Sequence, residues 1–83
     1  MKLSELEHAL NVAQKILDRG ERTHAKNAWL EESPANHWRH AARHLSRLEA
    51  RDGYEDHLAH AAVRLLLALE VRERRLERRN RAA

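Results

Sequence analysis

The stretch HWRHAARHL, residues 37–45, recurs twenty residues later as HLAHAAVRL, residues 57–65, with five of the nine positions identical. Each copy joins an H-x-x-H pair to adjacent alanines and a leucine. At about 100° per residue, an α-helix would place the histidines of each copy on one arc beside an Ala/Leu stripe. The repeat therefore predicts two similar helices, each with an apolar stripe edged by imidazoles.

Start and stop signals bound these two helices. Ser33 suits a helix N-cap and Pro34 suits the first helical position, so helix two is predicted to run from about residue 34 to residue 50. The turn RDGY, residues 51–54, stops helix two, and helix three is predicted from about residue 55 to residue 79. Such a short connection favours antiparallel packing, with the two helix axes about 8–10 Å apart.

A first helix is predicted over residues 4–19. Ser4 and Glu7 match the capping box, in which each side chain bonds a free backbone N–H at the helix start. Gly20 is expected to end this helix in the left-handed conformation, and residues 20–33 are expected to form a loop with a short helical turn. The apolar seam of this helix has three- and four-residue spacing and consists of Leu3, Leu6, Leu10, Ala13 and Leu17.

These patterns predict an all-α fold: a small three-helix domain over residues 1–71, with helices two and three as an antiparallel hairpin, and an arginine-rich helical extension over residues 72–83. The chain has 83 residues, of which three are aromatic, so its own core is thin. Between Leu58 and Leu69, helix three is apolar almost all round, which indicates neighbours on more than one side. We therefore expect a homo-oligomer.

Composition excludes several classes of protein. The chain has no cysteine, which rules out a disulfide scaffold and any thiolate metal site. Acidic residues near the N-terminus interrupt the apolar core that a secretory signal would need, and the longest apolar run is far short of the ~20 residues that span a bilayer. We expect a cytoplasmic protein without a membrane partner.

The histidines form the candidate site. Histidines three or four residues apart on facing helices, with a carboxylate nearby, are one way in which helical bundles bind metals. A divalent metal of undetermined identity is therefore one interpretation, and its candidate ligands are His37, His40, His44, His57 and His60. In the acidic turn, Glu55 and Asp56 are the candidates for catalysis, for oxygen ligation or for orienting a histidine.

Two other interpretations of the same residues stay open. Arg64, on the arc of the second repeat, and Arg47 could bind a phosphate directly, in place of a metal. Alternatively, the histidines are structural, and their ring nitrogens bond backbone groups or carboxylates at the helix interface. Residue types and spacing do not separate these possibilities.

The C-terminal segment, residues 72–83, carries six arginines against two glutamates, more positive charge than the whole chain's net +3. Such a segment can bind nucleic acid through its phosphates, or it can bind an acidic protein. A solvated helix end has the same composition. The segment therefore supports a non-enzymatic interaction module as the alternative function.

The order of several short motifs resembles a family common in phages and prophages, the dATP/dGTP diphosphohydrolase N-terminal domain. The resemblance spans roughly residues 10–70 and rests on Gly20, Asn27 and Trp29 in the loop, then RHL at residues 43–45, then HLAHAAVRLLLALE at residues 57–70. The H-L-A-H-A block after a tryptophan and R-H-L is its most specific part.

The resemblance implies an all-α domain that binds or hydrolyses purine deoxynucleoside triphosphates with a divalent metal. It also implies that the expected cytoplasm is that of a bacterial host. The positions that it carries over are Asn27, Trp29, His44, His57 and His60, with Asn27 and Trp29 as substrate contacts. The chain departs from the family's loop pattern, since His24 stands where an aromatic residue is usual and one extra residue separates Asn27 from Trp29. It also differs from the all-α nucleotide pyrophosphohydrolases. It does not contain their magnesium-binding pattern of E-E-x-x-E followed by E-x-x-D.

Overall fold

The computed structural model describes residues 1–82, and within them the fold is three α-helices without a strand. Helix α1 spans Glu7–Thr23, α2 spans Pro34–Glu49 and α3 spans His57–Ala82. Two 3₁₀ turns accompany them, Leu3–Leu6 before α1 and Ala28–Leu30 before α2. The predicted all-α, three-helix class is confirmed.

Helices α2 and α3 form the predicted antiparallel hairpin and supply most of the packing between elements. Ser33 caps α2 as predicted, since its Oγ accepts the Asn36 backbone N–H at 3.0 Å. Arg51 then takes the left-handed conformation, φ 59°, and reverses the chain. At the start of α3, Asp56 Oδ1 accepts the Ala59 N–H at 3.1 Å. That cap explains why α3 starts at His57, two residues later than predicted.

The predicted ends of the first helix are wrong. The capping box does not form, because Ser4 lies inside the 3₁₀ turn and the chain is already coiled when it reaches Glu7. Gly20 is helical rather than left-handed, and α1 continues to Thr23. The loop reverses at Asn27 instead, which takes φ 61°. Asparagine tolerates this conformation better than most residues, so the glycine was not needed for the turn.

The buried core is small and contains two histidines. Its apolar members have short side chains: Ile16, Ala41, Ala61, Val63, Ala68 and Val71. His37 and His57, the first histidine of each repeat, are 0% and 2% exposed and are, with Val71, the largest fully buried side chains. The hairpin is therefore packed around imidazoles, and their hydrogen bonds become part of its stability.

Helix α3 is much longer than its partners and gives the molecule a length of 47 Å. Its last buried residue is Val71, and from Arg72 to Ala82 the helix continues with exposed side chains. Among the described residues, no helix combines the length and the hydrophobicity needed to cross a membrane.

Candidate metal centre

The closed end of the hairpin brings three potential metal ligands together: His44 from the C-terminal half of α2, Glu55 from the connection and His57 from the first position of α3. The two Nδ1 atoms of the histidines are 2.9 Å apart, and without a metal one of them donates a hydrogen bond to the other. Glu55 Oε1 lies 3.9 Å from the Nδ1 of His44 and 3.8 Å from the Nδ1 of His57. One potential ligand atom of each side chain therefore lies within 4.8 Å of the other two.

These separations suit a small divalent ion. Zinc bonds nitrogen and oxygen at about 2.0–2.1 Å, so the ligand atoms of a tetrahedral site are about 3.3 Å apart. The observed separations of 2.9, 3.8 and 3.9 Å bracket that value, and changes of about half an ångström in each separation would match it. Two imidazoles and one carboxylate can hold such an ion and leave its fourth position for water or substrate.

His57 has a buried nitrogen on the side away from this centre. Its Nε2 makes no hydrogen bond within residues 1–82, and Asp52 Oδ2 lies 3.5 Å away. A metal-ligating histidine usually directs its second ring N–H to a carboxylate, which fixes the tautomer. Asp52 is positioned for that role. The Tyr54 backbone N–H, donated to Asp52 Oδ1 at 3.0 Å, lowers the pKa of the Asp52 carboxyl and keeps it ionised.

The centre is closed by His57 and open on the side of Glu55, whose side chain is 42% exposed. His60 lies at that opening. Its ring stacks on the His44 ring with centroids 5.1 Å apart, and its Nε2 is 3.6 Å from Glu55 Oε2. Arg47 Nη1 is 4.0 Å from Glu55 Oε1 on an exposed side chain. A ligand entering the centre would therefore meet one imidazole and one guanidinium.

Burial lowers the pKa of His44 below its ordinary value, and the charges of His60, His57 and Arg47 add to this effect, while Glu55 opposes it. A neutral imidazole is the form that binds a metal. The site therefore keeps His44 in the competent form at a lower pH than an ordinary histidine would allow.

The metal-free protein should lose stability as the pH falls below about 6.5. Burial holds the pKa values of His40 and His44 in the folded chain below the ordinary histidine value of 6.5, so the unfolded chain takes up protons first as the pH falls. Their contribution to the free energy of unfolding is complete above 6.5 and is lost as the pH falls towards the folded values. Urea unfolding in the presence of a chelator, from pH 7.5 to 5.5, measures this slope. His44→Gln should flatten it, and an equal slope in that variant would contradict the assignment.

A second polar cluster lies further along the hairpin, around His37. Its Nε2 bonds the Trp29 carbonyl at 2.9 Å, and its Nδ1 accepts from Arg64 Nη1 at 2.9 Å. Arg64 also donates to Glu32 Oε2 at 3.0 Å. Both nitrogens of His37 are therefore occupied by protein groups. The cluster ties the loop before α2 to α3.

The remaining predicted site residues lie outside the three-ligand centre. His40, half-buried, lies between the two clusters. The Asp56 carboxylate caps α3, and Arg64 belongs to the His37 cluster. Asn27 reverses the loop, and Trp29 supplies the carbonyl for His37 while its ring lies 5.3 Å from the Arg74 guanidinium. The structure thus brings together His44, Glu55 and His57, with His60 and Arg47 beside them.

The arginine segment is a regular helix in the described residues. Arg74 and Arg81 pair with glutamates one turn earlier, Glu70 and Glu77, each at 2.6 Å. These are exposed pairs, which contribute little to stability. Binding of nucleic acid or of an acidic protein by this segment stays a prediction.

Comparison of the chain with family models, with curated proteins and with solved structures returns no match.

Two residues that complete the clusters were not singled out in the sequence. Asp52 stands in the turn that stops helix two, where an aspartate is expected for turn geometry alone. Glu32 stands in the loop beside Glu31, with nothing to distinguish the two. The short spacing from Asp52 to His57 was the one available signal, since a tight hairpin returns both residues to the same end.

Proposed function

We propose that the protein binds a divalent transition metal through His44, Glu55 and His57, with zinc as the probe of choice. The observation that carries this proposal is the convergence of two Nδ1 atoms and one carboxylate oxygen, backed by Asp52 behind His57. Imidazole and carboxylate ligands without thiolate suit several first-row metals.

We further propose that the metal serves to bind and hydrolyse purine deoxynucleoside triphosphates. A groove of ≈ 1200 Å³ runs along α3. It is lined by His60, Arg64 and the connection between α1 and α2, which contains Trp29. Drug-sized ligands bind in pockets of about 300–1,000 Å³, so a nucleotide fits. Because His60 both lines the groove and contacts Glu55, a nucleotide in the groove could reach the metal centre with its phosphates. The resemblance to the dATP/dGTP diphosphohydrolase family supports the same substrate class.

In this proposal a bound metal would supply Lewis-acid polarisation of phosphate oxygens. Arg47 would hold the phosphates from the open side. His60 would take a proton from the attacking water, whose oxygen bonds to the α-phosphorus as the bond to the bridging oxygen breaks. The products are the deoxynucleoside monophosphate and pyrophosphate. General bases of this kind contribute about 10²–10⁴-fold in rate.

Pyrophosphate release from dATP and dGTP tests this activity in untagged protein supplied with zinc, manganese or magnesium. We expect turnover by the native chain, loss of turnover in Glu55→Gln, and a rate about 10²–10⁴-fold lower in His60→Ala with metal still bound. Glu49→Gln, at the exposed end of α2, is the matched control and should behave as the native chain. A metal-loaded native protein that releases no pyrophosphate above the rate of the metal in buffer would contradict the hydrolase proposal and leave metal binding standing.

A further inference from the structure

Helix α3 carries an apolar stripe that no other part of the described chain covers. The stripe has alternating four- and three-residue spacing and includes one charged residue, Arg72. Its other members are Leu58, Ala62, Leu65, Leu69 and Leu76. Its four leucines are between 43% and 60% exposed. Spacing of this kind is the a/d seam of a coiled coil, which packs against another helix along its length.

The stripe is part of a larger apolar face on one side of the hairpin. At 100° per residue, Leu58 and Leu65 lie on the flank of α3 opposite to His60. On α2, Trp38 and Leu45 lie on the flank opposite to His44, and they are 48% and 41% exposed. Since the His44 and His60 rings stack on one side of the hairpin, these apolar flanks share the other side.

The exposed surface of the chain is large for its mass. The accessible area is 6936 Å², whereas a compact monomer of 9.7 kDa exposes about 5,100 Å². The surplus of roughly 1,800 Å² is more than twice the about 800 Å² per partner that a standard interface buries. One copy therefore has enough uncovered surface to form a stable dimer.

The stripe is complementary to itself when reversed. If two α3 helices pack antiparallel about a two-fold axis near residue 67, Leu65 faces Leu69 of the second copy and Leu58 faces Leu76. In the same register, Arg72 of one copy faces Ala62 of the second copy. The small alanine side chain leaves room for the long arginine side chain. Each a position then meets a d position, as antiparallel coiled coils require.

The register also brings opposite charges together. It lays the C-terminal part of one α3, with Arg75 and Arg79 on one flank of the stripe, alongside the acidic turn of the second copy, which contains Asp52 and Glu55. A parallel arrangement would instead place the two arginine segments side by side, where like charges repel. Charge therefore favours the antiparallel register.

We propose that the protein is a two-fold symmetric dimer in which the α3 stripes of two copies pack antiparallel and the two hairpins form a four-helix bundle. The stripe shares no residue with the metal centre, although the register brings the arginine segment of one copy beside Glu55 and Asp52 of the second copy. The dimer gives the arginine segment a role within the assembly, beside the acidic turn of the second copy.

Sedimentation equilibrium of untagged protein should give twice the mass of 9.7 kDa. Leu65→Glu, at the centre of the stripe, should raise the dimer dissociation constant about a hundredfold or more, because each dimer then places two carboxylates in the apolar seam. Val12→Glu introduces the same charge at an exposed apolar residue of α1 and should leave the mass unchanged. A native chain that is monomeric at every concentration, or equal effects of the two variants, would overturn the dimer.

Disulfide trapping tests the register of the two α3 helices. The substituted leucines are exposed in the single chain, so the cysteine variants should fold as the native chain does. The native chain has no cysteine that could compete. An equimolar mixture of Leu58→Cys and Leu76→Cys should form the mixed disulfide under mild oxidation, as the two β-carbons face each other across the seam. Each variant alone should cross-link at least about tenfold more slowly than the mixture. Self-cross-linking of Leu58→Cys as fast as in the mixture would overturn the antiparallel register.

Discussion

Replacing His57 by alanine should weaken zinc binding by well over about a hundredfold. The substitution removes one of three ligands, and even outer partners of metal-binding histidines typically account for about 10–100-fold in affinity. The remaining pair, His44 and Glu55, has a separation of 3.9 Å between its ligand atoms, and in residues 1–82 no other three-ligand group includes them. Competition against a chromophoric chelator at pH 7.5 measures the affinity.

Two further variants make this prediction specific to the proposed geometry. Asp52→Asn keeps all three ligands and changes only the group behind His57 Nε2, so it should weaken zinc binding by about 10–100-fold. His8→Ala removes an exposed histidine of α1 and should have no effect. Equal affinities for His57→Ala and His8→Ala would show that zinc binds elsewhere.

Replacing His37 by alanine should lower the free energy of unfolding by about 3–5 kcal/mol, since it leaves a cavity, the Trp29 carbonyl without its donor and Arg64 with one partner fewer. His37 is 0% exposed and both its ring nitrogens are hydrogen-bonded. Folded domains are stable by only about 5–15 kcal/mol. Because the core of this chain is thin, the His37→Ala variant is expected to be largely unfolded at 37 °C.

Urea titration followed by circular dichroism, at one fixed protein concentration, measures this loss. His40→Ala is the matched control because it removes the same side chain one turn away, where it is half-buried and outside both clusters. Its effect should be below about 1 kcal/mol. If the two variants were equally stable, the His37 hydrogen bonds would not contribute to the fold as described.

The two histidines that begin the repeats show which features of the site can be predicted from the sequence and which cannot. Their common spacing predicts a hairpin with imidazoles at its interface, and His37 and His57 are indeed the buried pair. Their roles differ because of groups that are distant in sequence. Arg64 and the Trp29 carbonyl occupy both nitrogens of His37, whereas His57 has His44 and Glu55 on one side and Asp52 on the other. Periodicity predicts on which face of a helix a side chain lies, but not which groups from other parts of the chain contact that face.

The ends of the helices also differ in how well the sequence predicts them. Ser33 and Pro34 act through bonds within one turn, so a local pattern was sufficient to place the start of α2. Ser4 and Gly20 match equally good local patterns, and the chain uses neither, since it is already coiled at Ser4 and reverses at Asn27. A local pattern alone therefore does not place the ends of α1.

The most direct test of the metal centre is a long-range ¹H–¹⁵N correlation spectrum of the histidine rings, recorded with and without one equivalent of zinc. We predict that the Nδ1 resonances of His44 and His57 move to the shift of metal-bound nitrogen, while both nitrogens of His37 stay where they are. Zinc that leaves the His44 and His57 rings unchanged, or that binds through other histidines, would contradict the account.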